Sequence, residues 1–206
     1  MMEDASQEKR RSYRARDFAR SAMSCPSCQV VLNEAREDCP RCGFSGSVAV
    51  RRFPYPAPEM EMLIDPGGIF GDEDRAAVER GLERLRRYFP QVRLCFCVME
   101  LSREIPIREF AFWFFNASPV RDEEEAARRP WTVLILIDTE GRRVTQVAGY
   151  AVEPFLSDAA AVASFRKCRG ALFQRRFPEV LVDLAAGVEA DLWEGQRRAK
   201  RKGGRQ

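Results

Sequence analysis

Two Cys-Pro-x-Cys turns stand ten residues apart near the start of the chain: Cys25-Pro26-Ser27-Cys28 and Cys39-Pro40-Arg41-Cys42, the second followed by Gly43. No other stretch restricts local structure as strongly. A turn of this length sets both of its sulfurs on one side. Two such turns can therefore offer four soft donors to one tetrahedral ion about 2.3 Å from each sulfur. The proline after the first cysteine fixes φ and stiffens each turn, and Gly43 admits a backbone conformation that other residues resist. The chain contains no histidine, so a four-coordinate site here has to be all-cysteine. Cys25, Cys28, Cys39 and Cys42 are the candidate ligands of a structural Zn²⁺, since four sulfurs leave no coordination position open for catalysis.

The spacing resembles that of the zinc-ribbon family. The competing readings are disulfides, which suit an oxidising compartment, and free thiols. Residues 1–20 are charged throughout and lack the apolar stretch of a secretory signal. No apolar run approaches the ~20 residues that cross a bilayer. The expectation is a cytoplasmic protein without a transmembrane segment, where clustered thiols bind metal. Cys95, Cys97 and Cys168 lie outside the motif and read as small buried hydrophobes.

Charge divides the chain. Residues 196–206 carry six basic side chains and no acid, and residues 1–52 carry ten bases against seven acids. With +3 overall, these segments at +6 and +3 leave −6 for residues 53–195. An acidic centre with basic ends is not a uniformly basic nucleic-acid binder. Five segments follow: a basic arm over 1–20, a zinc ribbon over 21–50, a proline-rich linker over 51–60, an α/β domain over 61–195 and a basic tail over 196–206. In the linker, Pro54, Pro56 and Pro58 alternate with other residues and favour extended backbone.

Within 61–195 the periodicities alternate. Val78, Leu82, Leu85 and Phe89 mark one face of a helix that begins after Gly71, has Asp72, Glu73 and Asp74 in its first turn, and stops at Pro90. Residues 92–100 read as a strand and 104–116 as a helix burying Phe110, Trp113 and Phe114. Residues 131–137 and 144–148 flank the turn Thr139-Glu140-Gly141 and read as a hairpin. Two helices, 154–174 and 178–194, close the domain, and the acidic stretch 122–125 reads as a solvated loop. The order β-α-β-α-β-β-α-α predicts an α/β fold, a sheet with flanking helices. No internal repeat is found.

Three stretches carry a second resemblance: Leu63-Ile64-Asp65-Pro66-Gly67-Gly68-Ile69-Phe70, the apolar strand from Trp131 to Ile137, and Gly149-Tyr150-Ala151-Val152-Glu153-Pro154-Phe155-Leu156-Ser157-Asp158. In order and spacing, residues 61–192 resemble the TPM domain. The resemblance implies an α/β sandwich and, from some family members, binding of Ca²⁺, Mg²⁺ or another divalent cation with a weak acid phosphatase activity. It points to Asp65, Asp138, Glu153 and Asp158 as the acidic ligands, with Gly149 and Tyr150 shaping the turn between them. Asp65 can equally be a turn former and Asp158 a helix-start residue. Arg129-Pro130-Trp131 stands where the family carries an Asn-Gly turn, and Ala151 replaces a glycine.

No other catalytic constellation is present. Cys97 and Arg103 match the spacing of a cysteine-phosphatase loop, but Glu100 would repel phosphate and the loop lacks the glycines that free backbone amides. Without histidine there is no triad or imidazole base. The sequence therefore points first to a binding or adaptor module that joins a zinc ribbon to a TPM-like domain and engages a partner protein or a divalent cation. A metal-assisted phosphatase is the second reading. The third is a nucleic-acid-associated protein using the ribbon and the basic ends, the tail being equally suited to an anionic membrane surface or to simple solvation.

Overall fold

In the computed structural model, residues 23–32 and 37–203 are described, and the basic arm expected over 1–20 lies outside them. The chain divides into two compact units, 1–54 and 55–206. In the first, strands β1 (Met23–Ser24) and β2 (Val31–Leu32) pair antiparallel. Helix α1 (Gly46–Arg52) follows, capped by Ser45, whose hydroxyl accepts from the Val48 amide at 3.3 Å. The expected linker over 51–60 is thus partly helical at its start. Its other end is held in the second unit, where Arg93 donates to the Met60 carbonyl and Arg121 pairs with Glu59.

The second unit is an α/β domain built on a four-stranded mixed sheet in the order β3 (Leu63–Ile64), β4 (Arg93–Met99), β5 (Thr132–Asp138), β6 (Arg143–Ala148). The first three run parallel and β6 is antiparallel to β5, as the hairpin reading requires. Every residue of β5 is buried, and so are the five central residues of β4. Their unbroken apolar runs record a sheet covered on both faces.

Alternation sorts those runs. Leu94, Phe96 and Val98 of β4 and Val133, Ile135 and Ile137 of β5 join the main core with Val78, Leu82 and Leu85. The last three lie on α2 (Asp72–Tyr88), the helix expected after Gly71. The opposite face carries Cys95, Cys97, Leu134 and Leu136. Helix α3 (Ile107–Ala117), with Phe110, Trp113 and Phe114 buried, packs against β5 and β6. The acidic stretch is not a loop. Asp122 caps α4 (Glu123–Arg128) by accepting from the Glu125 amide at 2.8 Å, and the acids of its first turn suit the helix dipole.

The helical region expected over 154–174 is broken into a 3-10 turn (Glu153–Phe155), α5 (Asp158–Lys167) and α6 (Arg169–Phe173). The closing helix α7 runs from Phe177 to Gly203, well past the expected end at 194. Gly195, where a Cβ would strike the Phe155 backbone, does not end the helix, and the basic residues favour a helix C-terminus. Arg197 pairs with Glu194 at 2.7 Å, and Arg198 donates to the Phe155 carbonyl at 3.1 Å. Residues 196–203 are therefore helical. No described helix is long and apolar enough to cross a membrane.

Asp191 ties α7 to the start of α5 by accepting from the Ser157 amide at 2.7 Å. Burial raises its pKa above the ordinary carboxylate value despite the nearby Arg198 guanidinium. The folded state therefore keeps this proton to higher pH than the unfolded chain, and stability is lost as pH climbs through the raised value. Asp191→Asn retains an acceptor for Ser157. Relative to wild type, the variant should gain stability as pH rises from about 4 to about 7. Urea midpoints across that range check this; a difference that does not change with pH would contradict it.

Candidate metal centre

The first unit is built from two copies of one small device. The strand pair Ser24–Val31 brackets residues 25–30, and the isolated bridge Asp38–Ser45 brackets residues 39–44. Within each loop the hydrogen bonds are the same. Cys25 N–H donates to the Val30 carbonyl and Gln29 N–H to the Cys25 carbonyl, both at 2.9 Å. Cys39 N–H donates to the Phe44 carbonyl and Gly43 N–H to the Cys39 carbonyl, both at 2.8 Å. The residue after each second cysteine has positive φ, 61° at Gln29 and 69° at Gly43. Sequence alone singles out the glycine. Gln29, which accepts about 1–2 kcal/mol of left-handed strain, becomes visible only as its structural equivalent. At this scale the chain does hold a short repeat.

The two loops bring the four sulfurs together. The Sγ atoms of Cys25, Cys28, Cys39 and Cys42 all lie within 4.8 Å of one another, with Cys25–Cys42 at 3.7 Å and Cys28–Cys39 at 3.6 Å. Four sulfurs around one ion at about 2.3 Å would stand about 3.8 Å apart, whereas a disulfide needs about 2.05 Å. The donor set thus fits a tetrahedral soft metal. Each closest contact crosses between the loops, so an ion there joins both halves of the unit. Burial pushes the Cys25 thiol up to about 12. At Cys39 the effect of burial is outweighed by the backbone amides of Cys42 and Arg41, which bring the thiol down to about 7. Cys25 and Cys39 are buried, while Cys42 is exposed and leaves one edge of the cluster open to solvent.

The carboxylates suggested by the TPM resemblance behave differently. Among the described residues, the four cysteines are the only group of three or more Cys, Asp or Glu side chains placed to share an ion. Asp65 is a turn former whose two oxygens accept from the Ile69 amide at 3.0 Å and the Phe70 amide at 2.9 Å, with Arg75 at 3.3 Å. Asp138, buried at the end of β5, accepts from the Leu101 amide at 3.1 Å, the Glu140 amide at 3.2 Å and Arg143 Nε at 2.7 Å. Glu153 opens the 3-10 turn, and its amide donates to the Gly149 carbonyl at 3.0 Å. Asp158 is the exposed first residue of α5, where the helix dipole favours it. Asp65 follows β3 and Asp138 closes β5, and local hydrogen bonds and ion pairs engage both.

Gly149 does shape its turn, because a Cβ there would strike the backbone carbonyls of Arg129 and Pro130. Cys97 sits in mid-strand on β4, where burial pushes its thiol up to about 12. That environment is the opposite of an activated nucleophile's. Cys95 is pushed up to about 11 for the same reason.

No protein-family model and no curated protein matches the sequence. The solution NMR structure of the N-terminal domain of a protein from P. gingivalis is similar, with a TM-score of 0.50. It is 14% identical and covers 70% of this chain and 87% of that one. At that identity the likeness is one of fold alone.

The three aspartates should separate by stability. Asp138→Ala strands two amides and a partly buried guanidinium and should cost about 3 kcal/mol. Asp65→Ala should cost about 1–3 kcal/mol through its two turn amides, and Asp158→Ala less than about 1 kcal/mol. Chemical denaturation of the three variants checks the order; a leading cost at Asp158 would overturn it.

Proposed function

We propose that the chain is a metal-stabilised binding module: a structural zinc ribbon joined to a TPM-like α/β domain that serves as a scaffold for a partner. One observation carries the metal half of this reading, the four sulfurs at separations suited to a single tetrahedral ion. Zinc is the metal favoured by an all-thiolate, four-coordinate set. Saturated coordination supports a structural role, because no position remains to activate water. A unit this small buries too little apolar surface to fold by itself, so metal binding would supply much of its folding free energy.

The TPM likeness of residues 61–192 rests on the Leu63–Phe70, Trp131–Ile137 and Gly149–Asp158 stretches. The phosphatase reading has less support, since Asp65 and Asp138 are engaged by backbone amides and arginines. A binding role fits better, since among the described residues Cys95, Cys97 and Cys168 are buried and Asp65 and Asp138 are engaged. Pull-down with the metal-loaded full chain is its direct test. Recovery of a partner lost on chelation, or on substitution of the domain surface, would support it.

Purified protein should contain one zinc ion per chain by elemental analysis, and Cys39→Ser should abolish retention of the metal. Chelation should expose residues 25–50 to limited proteolysis while amide-exchange protection of β4 and β5 persists. Metal-free protein with intact protection over 25–50 would defeat the structural-zinc reading. Loss of protection in both segments together would show that the two units fold as one.

A further inference from the structure

An open cleft of about 700 Å³ lies in the second unit between the β5–β6 turn and α5–α6. Arg103, Arg142, Arg166 and Arg169 line it. Among the described residues none of these four makes an ion pair. The other charges at the cleft are matched. Arg143 is held by buried Asp138 at 2.7 Å, and Glu140 is paired with Arg175 at 3.2 Å. Four guanidinium groups without an ion-paired acid face one concavity, whose one lining acid, Glu140, is taken by Arg175, in a domain whose residues 53–195 carry net −6. Gathering like charges raises free energy unless an anion answers them.

Two of the arginines are pre-positioned. Phe173 is 47% exposed, and the guanidinium carbons of Arg142 and Arg169 stand 4.6 Å and 5.4 Å from its ring centroid. Arg142 also has positive φ, 50°. The hairpin turn would ordinarily assign that conformation to its glycine. Gly141 is needed for another reason: a Cβ there would strike the Asp138 carboxylate and Arg143 Nε. The left-handed residue is therefore an arginine, an uncommon and strained choice held at the mouth of a charged cleft.

We propose that this cleft binds a small phosphate-bearing molecule of nucleotide size. Arginine forks match phosphate oxygens, and four of them suit two phosphate groups. The cleft volume falls in the range of small-ligand sites, and exposed Val162 and Phe173 provide an apolar wall for the body of the ligand. A compact anion meets only the cleft, whereas a nucleic-acid strand would have to continue across the acidic domain. The site shares no lining residue with the cysteine cluster or with the four carboxylates, although Asp138 holds Arg143 at its edge.

The test is calorimetric titration of the metal-loaded full chain with ADP and with pyrophosphate. A 12-nucleotide oligothymidylate and phosphatidylserine vesicles serve as competing probes. ADP should bind one per chain. Arg166→Gln/Arg169→Gln should weaken it about tenfold or more, as should Arg142→Asn, which keeps a residue tolerant of positive φ. Arg86→Gln/Arg87→Gln, the same charge removed from α2, should leave binding unchanged. Absence of ADP binding, equal weakening by the α2 variant, or cleft-dependent binding of the oligonucleotide or vesicles without ADP would each overturn the proposal.

Discussion

A carboxylate buried at the end of a sheet strand is unfavourable unless donors surround it. Asp138 meets that condition in a way that organises the sheet's carboxyl end. Its oxygens accept from the β4–α3 connection at Leu101, from the hairpin turn at Glu140 and from Arg143 on β6. The same Arg143 reaches the carbonyls of Ile105 at 2.9 Å and Ser102 at 3.2 Å. One ion pair thus joins the β5–β6 hairpin to the β4–α3 connection, which is distant in sequence. It also fixes the turn so tightly that only glycine fits at 141. Arg142 and the loop bearing Arg103 inherit their positions from this node, so a structural carboxylate arranges the cationic cleft beside it.

The elements with strong local signals were legible in the sequence. Helix α2 carried a full apolar stripe, an acidic first turn and a proline stop, and it spans Asp72–Tyr88. Strands β4 and β5 announced themselves by continuous apolar runs. Where expectation and structure part, a local device decides. Asp122 turns an acidic loop into α4, and Ser45 starts α1 at the edge of the supposed linker. Helix α7 outruns its apolar periodicity because Arg197 and Arg198 find Glu194 and the Phe155 carbonyl. Hydrophobic period measures which face is buried, and it falls silent where a helix continues on capping and ion pairs alone.

Legibility of the sites followed sequence distance. The cysteine cluster could be read because each half of it lies within four residues and the turn geometry is local. The carboxylates could not, since whether Asp65 or Asp138 is available depends on amides and arginines supplied by the fold. The cleft arginines escape notice for the related reason that 103, 142, 166 and 169 come from a loop, a hairpin turn and two helices. In a chain with 34 basic residues, nothing in the spacing of these four separates them from solvated ones. Only their lack of ion-pair partners among the described residues, a property of three-dimensional neighbours, does so.

The two units solve the problem of stability by different means, and this bounds where ligand chemistry can reside. The first unit has little apolar content to bury, and its hydrogen-bonded loops converge on sulfurs that an ion would have to hold together. Its four donors would then be fully used. The second unit has a core continuous from α2 through the sheet to α7, so its surface is free to carry features that cost stability. Arg142 in a left-handed backbone and a group of unpaired guanidiniums are such features. Strain and like-charge crowding persist only where surrounding packing over-determines them, and the Asp138–Arg143 node beneath the hairpin supplies that constraint.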